Sequence, residues 1–307
     1  MKKISSTSIS VLLLAISVAA QETHKADSGY AEVNGTKLYY EVAGKGMPLV
    51  FIHGSFGDRR HWDFQFKELS KKYRVMRYDL RGFGRSALPD TAKIYRDADD
   101  LNALMIFLGI SKAHICGLSS GSFIVFDFAF SYPDKCISLI PIGPRIAGDE
   151  SDENKTPATD SLRTAVSKTV DILKSKGKKE ATDYLWKANN CLSKSIRSPA
   201  ARDALLKMGY EYSWWRYLHV NKREYAFPAA INKLNEIKIP TLVVTAEYDL
   251  EKCKEIAQLI AKNVPHAKLI SLKGAGHIMN MDQPAKFNKI ISAFIDRLKK
   301  DDTQNGL

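Results

Sequence analysis

A serine hydroxyl attacks a carbonyl only when a neighbouring base takes its proton and a third group holds that base in place. Three stretches of this 307-residue chain offer such a set. Gly117-Leu118-Ser119-Ser120-Gly121 centres a serine between two glycines. Asp249 stands just beyond the apolar run Leu242-Val243-Val244, and His277 just beyond Leu269-Ile270-Ser271-Leu272, within Gly274-Ala275-Gly276-His277. In that set Ser119 is the nucleophile, His277 the base and Asp249 the group that orients it. Each role has rivals. Ser120 and Ser122 flank Ser119 but are not centred between the glycines. Glu247, Glu251 and Asp282 compete with Asp249, and His53 competes with His277.

Chemistry of this kind needs elements that hold the three residues at one edge. Ala113 to Cys116 reads as a buried strand running straight into the Gly-x-Ser-x-Gly turn, and the apolar, helix-length stretch Phe123 to Phe130 follows. Strand, tight turn and helix in succession form a nucleophile elbow, with the central residue in strained backbone geometry. Gly117 and Gly121, lacking a Cβ, let strand and helix approach closely. Ser119 would then stand at the C-terminal edge of a sheet, where open α/β folds place their ligands.

The rest of the chain supplies the sheet. Tyr30 to Val33 and Thr36 to Val42 read as strands joined by an Asn34-Gly35 type I′ turn. Pro48 to Ile52 is apolar on both faces, as a covered central strand should be, and ends in His53-Gly54-Ser55-Phe56-Gly57. A helix with Trp62, Phe66 and Leu69 at helical spacing comes next. Strand Tyr73 to Leu80 follows, then a loop, Arg81 to Ser86, that lacks the full dinucleotide fingerprint. Asp97 to Leu108 reads as an amphipathic helix stopped by Gly109, and Cys136 to Ile142 as a strand. From Arg145 to about Glu236 the alternation lapses into helices rich in Lys and aromatic residues. It resumes with strand Thr241 to Ala246, helix Cys253 to Ala261, strand Ala267 to Leu272 and a helix from Pro284 to Leu298. Strands alternating with helices predict a mostly parallel, doubly wound sheet. The interruption predicts an inserted lid.

These motifs in this order resemble the α/β-hydrolase superfamily, in its lid-bearing group of small esterases, lactonases, C–C hydrolases and prolyl-type aminopeptidases. The resemblance rests on His53-Gly54, Trp62 before Gln65, Tyr78 to Ser86, the elbow, Pro240 to Val244, Glu247-Tyr248-Asp249, and Gly276-His277 through Pro284. It implies an α/β-hydrolase core over residues 29–144 and 237–300, with a helical lid at 145–236 between them and a tail at 301–307. The order Ser119, Asp249, His277 is that of the family triad. The backbone N–H groups of Ser120 and Ser55, with Phe56 the alternative to Ser55, would form the oxyanion hole. His53 becomes a structural part of that loop, Asp282 a capping or orienting group near the histidine, and the other five histidines ordinary. No metal or organic cofactor is implied. The expected reaction is hydrolysis of a small-molecule ester-like substrate through an acyl-enzyme on Ser119. Alternatives are a C–C bond hydrolase or an aminopeptidase on the same triad, or a receptor that keeps the fold without turnover.

Composition narrows the setting. With 45% hydrophobic and 26% charged residues, the chain can bury a large core without disulfides or metal. Lys2 and Lys3, the apolar run Ile9 to Val18 and the small residues to Ala20 form a signal-peptide pattern at 1–20, followed by a linker at 21–28. Export to a periplasm or beyond is expected, with cleavage near Ala20 and no stable membrane insertion afterwards. The net charge of +12 falls to +10 without those two lysines. No basic run is interleaved with aromatics as a nucleic-acid module would require, so no nucleic-acid partner is expected. Residues 151 to 235 hold sixteen Lys or Arg against nine Asp or Glu. The basic lid disfavours the aminopeptidase, which needs acidic residues to grip an amine; it would also suit an anionic substrate, but the expectation is that its charges lie on the solvated face. Cys116 and Cys136 sit in apolar runs, and the sequence leaves open a Cys191–Cys253 bridge.

Overall fold

A computed structural model describes residues 26–150, 156–219 and 222–304. The signal-peptide pattern at 1–20 lies outside the described residues. Strands β1 (Asp27–Val33) and β2 (Thr36–Ala43) form an antiparallel hairpin. Its turn residues Asn34 and Gly35 have φ of 48° and 67°, the left-handed pair a type I′ turn needs. The remaining strands are β3 (Pro48–Ile52), β4 (Arg74–Tyr78), β5 (Ala113–Leu118), β6 (Cys136–Ile142), β7 (Leu242–Tyr248) and β8 (Lys268–Gly276). They complete one eight-stranded sheet in the order β1-β2-β4-β3-β5-β6-β7-β8. Beyond the antiparallel β2–β4 pair, every neighbour is parallel. The order reverses around β3 and β4, so β3 and β5 lie side by side at the centre and deliver their C-terminal loops to one edge.

β5 is buried at every position, as the apolar run predicts. Helix α1 (Asp63–Leu69) packs against the long C-terminal α11 (Pro284–Gln304), and α2 (Asp97–Phe107) against α3 (Ser120–Ser131). Trp62 is fully buried and stacks on Phe51 with centroids 4.4 Å apart. Helix α2 departs from the simple amphipathic pattern. Leu101, Leu104 and Met105 face the core, but Asp97 and Asp100 are buried too, while Ile106 and Phe107 are exposed. The loop after β4 is structural, as expected: Arg85 N and Arg59 N donate to the Asp79 carboxylate at 2.9 Å.

Between β6 and β7 the described residues hold no strand of the sheet. They form α4 (Pro157–Lys176), α5 (Lys178–Lys187), α6 (Cys191–Lys194), α7 (Pro199–Glu211), α8 (Trp215–Leu218) and a 3-10 stretch, Ala230–Glu236. Thr156 caps α4 through a reciprocal box with Thr159, and Gly177, at φ 97°, separates α4 from α5. Trp186 and Trp214 bury their rings within the insertion. After β7, helices α9 (Glu251–Asn263) and α10 (Met279–Asp282) complete the set. All four cysteines are free thiols, so Cys191 and Cys253 are not bridged. No described helix is long and apolar enough to cross a membrane.

Candidate active site

At the end of β5 the chain turns into α3 on a single residue. Ser119 has φ 51° and ψ −114°, a left-handed geometry that costs a non-glycine residue about 1–3 kcal/mol unless its surroundings impose it. They do. Ser119 N donates to Ile142 O of β6 at 2.8 Å, and Ser122 N returns to Ser119 O at 2.9 Å. Ser122 Oγ accepts from Arg145 N at 2.7 Å, tying the first turn of α3 to the loop after β6. A Cβ on Gly117 would sit 2.5 Å from Gly121 O and 2.6 Å from a Val125 methyl. On Gly121 it would sit 2.6 Å from Ile52 O and 2.8 Å from His53 O. Both glycines are sterically obligatory, for the close approach expected of them. Ser120 opens α3, where the first amides have no intrahelical acceptor and the helix dipole is positive.

The sheet brings Asp249 and His277 together. His277 Nδ1 lies 2.6 Å from Asp249 Oδ1, and both residues are buried. Asp249 also accepts from Thr245 Oγ1 at 2.9 Å and from Leu250 N at 2.7 Å. A carboxylate so satisfied accepts from His277 Nδ1–H, which leaves Nε2 as the basic nitrogen. The rival acids do other work. Glu247 accepts from Gly274 N at 2.8 Å, and Glu251 pairs with Lys254. Asp282 accepts from Gly276 N at 2.8 Å and from Ser198 N at 2.9 Å, so it clamps the turn before His277 onto the insertion. His277 N itself donates to Ser195 O at 2.7 Å. Among the described residues Ser119 Oγ makes no hydrogen bond to His277; bonds of this kind often tighten only when substrate binds.

One residue of this corner is not legible as such in the sequence. Gly143, at φ 48°, follows β6, and a Cβ there would lie 2.9 Å from both Cε1 and Nδ1 of His277 and 3.4 Å from Asp249 Oδ2. It leaves the room in which the imidazole sits. The sequence shows it only as the point where the strand–helix rhythm stops.

Across the cavity runs the loop Gly54-Ser55-Phe56. Phe56 is held at φ 62°, and its ring stacks on Tyr217 of the insertion at 5.0 Å and 11°. Tyr217 also hydrogen-bonds the Ser55 side chain. His53 is structural, as expected. It is fully buried, Nδ1 lies 2.8 Å from Gly54 O, and Nε2 accepts from Leu80 N at 3.1 Å. Burial pushes its pKa down to about 4, so it is neutral. His61, expected to be ordinary, is part of this loop's support. It is buried, its Nδ1 accepts from Gly54 N at 3.3 Å, and burial, then the neighbouring His53, pushes it down to about 3.

Ser119, Ser120, Ser55, Phe56 and His277 line one cavity of about 420 Å³, within the usual size of a small-molecule site. The insertion closes it with Leu162, Val166, Trp186, Leu192 and Tyr217, and adds Arg163, Arg216 and Arg223. Part of the basic charge of the insertion therefore faces the cavity rather than open solvent. Asp249, Cys253 and His277 bring donor atoms within 4.8 Å of one another, but Asp249 and His277 are spent on each other. Burial holds the Cys253 thiol well above its ordinary range.

This sheet, with a serine on a strained turn at its C-terminal edge, defines the class of an α/β-fold hydrolase. The chain belongs to the alpha/beta hydrolase family, whose model matches residues 49–290. It is similar to a 2-hydroxy-6-oxononadienedioate/2-hydroxy-6-oxononatrienedioate hydrolase of Burkholderia vietnamiensis, 25% identical over 289 residues that cover 90% of this chain and 98% of the relative. It is 24% identical to 3-oxoadipate enol-lactonase 1 of Acinetobacter baylyi, over 86% of this chain and 95% of that one. Among solved structures, a thermophilic esterase from Thermogutta terrifontis shares the fold with a TM-score of 0.70 at 24% identity, covering 89% of this chain and 99% of the other. The protein is an enzyme of the hydrolase class.

Proposed function

We propose that this enzyme is a serine hydrolase that cleaves an ester-like bond of a small molecule through an acyl-enzyme on Ser119. The observation that carries the reading is the shared cavity. A serine held at left-handed φ, a histidine hydrogen-bonded to a buried aspartate, and the start of α3 all line or adjoin the same 420 Å³ space.

In this mechanism His277 Nε2 takes the Ser119 proton as Oγ attacks the carbonyl carbon. The oxyanion is held by the Ser120 and Ser55 backbone N–H groups, each such donor typically worth ~3 to 4 kcal/mol. Collapse expels the alcohol, which takes its proton from His277, and leaves Ser119 acylated. Water then gives its proton to His277 and its oxygen to the acyl carbon, releasing the acid and restoring the serine. Asp249 fixes the imidazole tautomer and stabilises its transient positive charge. The name of the Burkholderia relative supports a second reading, hydrolysis of a C–C bond on the same serine.

A panel of short and medium p-nitrophenyl esters tests the first reading. Ser119→Ala is expected to lower kcat by at least about 10⁴-fold on any ester the wild type turns over. A fluorophosphonate should label the wild type at Ser119 and leave the variant unlabelled. No turnover across the panel together with no labelling would overturn the proposal.

A further inference from the structure

A second cavity adjoins the one that holds Ser119 and His277. It has a volume of about 350 Å³ and lies along the seam between the insertion and the core, where α4 and α6 meet the start of α9. Pro157, Ala158, Leu162, Cys191 and Leu250 form its apolar wall. Two of these, Leu162 and Leu250, also line the catalytic cavity. Cys191 borders the second cavity and Leu192, the next residue of α6, borders the first. The two spaces therefore share a boundary made from α4, α6 and the residue after Asp249. Leu162 is half-buried, so its side chain can change rotamer without repacking the core.

The chemistry of the second cavity differs from that of the first. Ser161, Glu251 and Glu255, all exposed, form a polar rim above the apolar wall. Each acid of that rim already faces a lysine: Glu251 pairs with Lys254, and Glu255 stands 3.7 Å from Lys252. Glu255 also accepts from Thr156 Oγ1 at 2.9 Å, a bond that ties the cap of α4 to α9 across the seam. Charge at the rim is balanced, so the part of a ligand that gains most from entering is its apolar part. Water leaves both the wall and the ligand when methylene groups fill such a space.

We propose that the second cavity is a chain-binding chamber of the active site, entered past Leu162, and that the substrate is an ester-like compound carrying an unbranched apolar chain. The catalytic cavity then takes the reacting group and the first carbons, and the chamber takes the end of the chain. The inference deepens the serine-hydrolase reading and rests on it for the reacting group. Ala158 lines the chamber and not the catalytic cavity, so a larger side chain there plugs the one without entering the other.

The test uses two pairs of simple esters, followed by proton release. Methyl butyrate and methyl octanoate lengthen the acyl chain by four methylenes, and propyl acetate and heptyl acetate lengthen the alcohol chain by the same amount. A methylene that enters an apolar chamber is worth up to about fourfold, so wild-type kcat/KM should rise by about 10- to 200-fold within one pair. The pair in which it rises tells which side of the ester the chamber holds. Ala158→Phe should bring that ratio back toward one, and Ala158→Leu, a smaller plug, should leave an intermediate ratio. Wild-type ratios below about 10 in both pairs would overturn the chamber whether or not the variants fold, and so would a ratio kept unchanged in the plugged variants. Fluorophosphonate labelling separates the two proposals. If the wild type neither labels nor turns over any ester, the serine reading fails. The chamber is then decided by calorimetry with 1-octanol: binding to the wild type that is weakened in the plugged variants supports it, and no binding, or equal binding to wild type and variants, overturns it.

Discussion

The corner around Ser119 and the helical insertion that closes its cavity are held by different kinds of contact. At the corner, backbone meets backbone: Gly121 lies against the carbonyls of Ile52 and His53, and Ser119 N reaches Ile142 O. In the insertion, side chains meet side chains, as where Phe56 stacks on Tyr217 and Arg216 lies over Phe83. Backbone contacts admit almost no substitution, whereas side-chain contacts can be rebuilt from other residues. The corner therefore fixes a class of chemistry, and the insertion sets the space in which a particular substrate must fit.

Glycine-to-alanine substitutions in the two regions should break that comparison first if it is wrong. In Gly121→Ala the new methyl has only backbone carbonyls to push against, at 2.6 and 2.8 Å. The expected cost is that of severe overpacking, about 3 kcal/mol or more, with loss of soluble or cooperatively folding protein. In Gly177→Ala the methyl's nearest neighbour is the end of Glu180, 3.9 Å away, although φ is 97°. Backbone strain alone should cost about 1–2 kcal/mol and leave activity in place. Equal losses in urea denaturation would show that the insertion is as tightly specified as the elbow.

The sheet beneath the elbow should also be the more sensitive to acid. His114, on β5 with Nδ1 2.8 Å from Ser138 Oγ, is pushed down to about 4 by burial. A histidine depressed in the folded state binds its proton more tightly when unfolded. Its contribution is complete above pH 6.5 and is lost as pH falls toward 4, about 3 kcal/mol in all. His53 and His61 act in the same direction. Asp79 and Asp100, both raised to about 6 chiefly by burial, act in the opposite direction between roughly pH 4 and 6, since the folded state there holds the extra protons. The difference in unfolding free energy between wild type and His114→Gln, followed from pH 7 to 4, isolates the one group. It should narrow by up to about 3 kcal/mol, and a flat difference would remove His114 from the account.

How far the sequence reveals each region follows from the same contrast. Ser119 is readable because a strand-to-helix turn this sharp demands glycine on either side, and that demand is written in residue type. Asp249 and His277 are readable because each follows a recognisable strand. Asp282 is readable only as a capping or orienting group near the histidine, and its bonds to Gly276 N and Ser198 N show that it clamps the turn before it. Gly143 is not readable: its role depends on the imbalance of space around an imidazole 134 residues later in the chain. Arg216 and Arg223 are equally hidden, because nothing local separates them from the other basic residues of the insertion. Their meaning comes from Asp97, contributed by another part of the fold. Helix α2 shows the cost of reading burial from pattern alone, since the same contact puts Asp97 inside while Phe107 stays out.

Gly143→Ala sharpens the comparison within the corner. Its methyl would press on the His277 ring at 2.9 Å, in a backbone conformation an L-residue adopts reluctantly. If His277 is the base, an ångström-scale displacement should lower kcat by about 10- to 100-fold with little change in KM. A matched loss of stability and activity would make Gly143 a folding residue only.

The smallest effect is expected where the two regions touch. Tyr217 contributes a ring to the insertion and a hydroxyl to Ser55 in the loop across from the elbow. Tyr217→Phe keeps the stack on Phe56 and removes only the hydroxyl. If Ser55 acts through its backbone N–H, the loop is held chiefly by Phe56 at φ 62°, by the ring stack and by His61 on Gly54 N, none of which needs that hydroxyl. The expected fall in kcat is then about two- to fivefold, the size of one modest hydrogen bond acting at a distance. A fall comparable to that of Gly143→Ala would mean that the insertion does more than shape the pocket: it would be setting the oxyanion loop itself, and the division between a corner that reacts and a lid that selects would have to be redrawn through Tyr217.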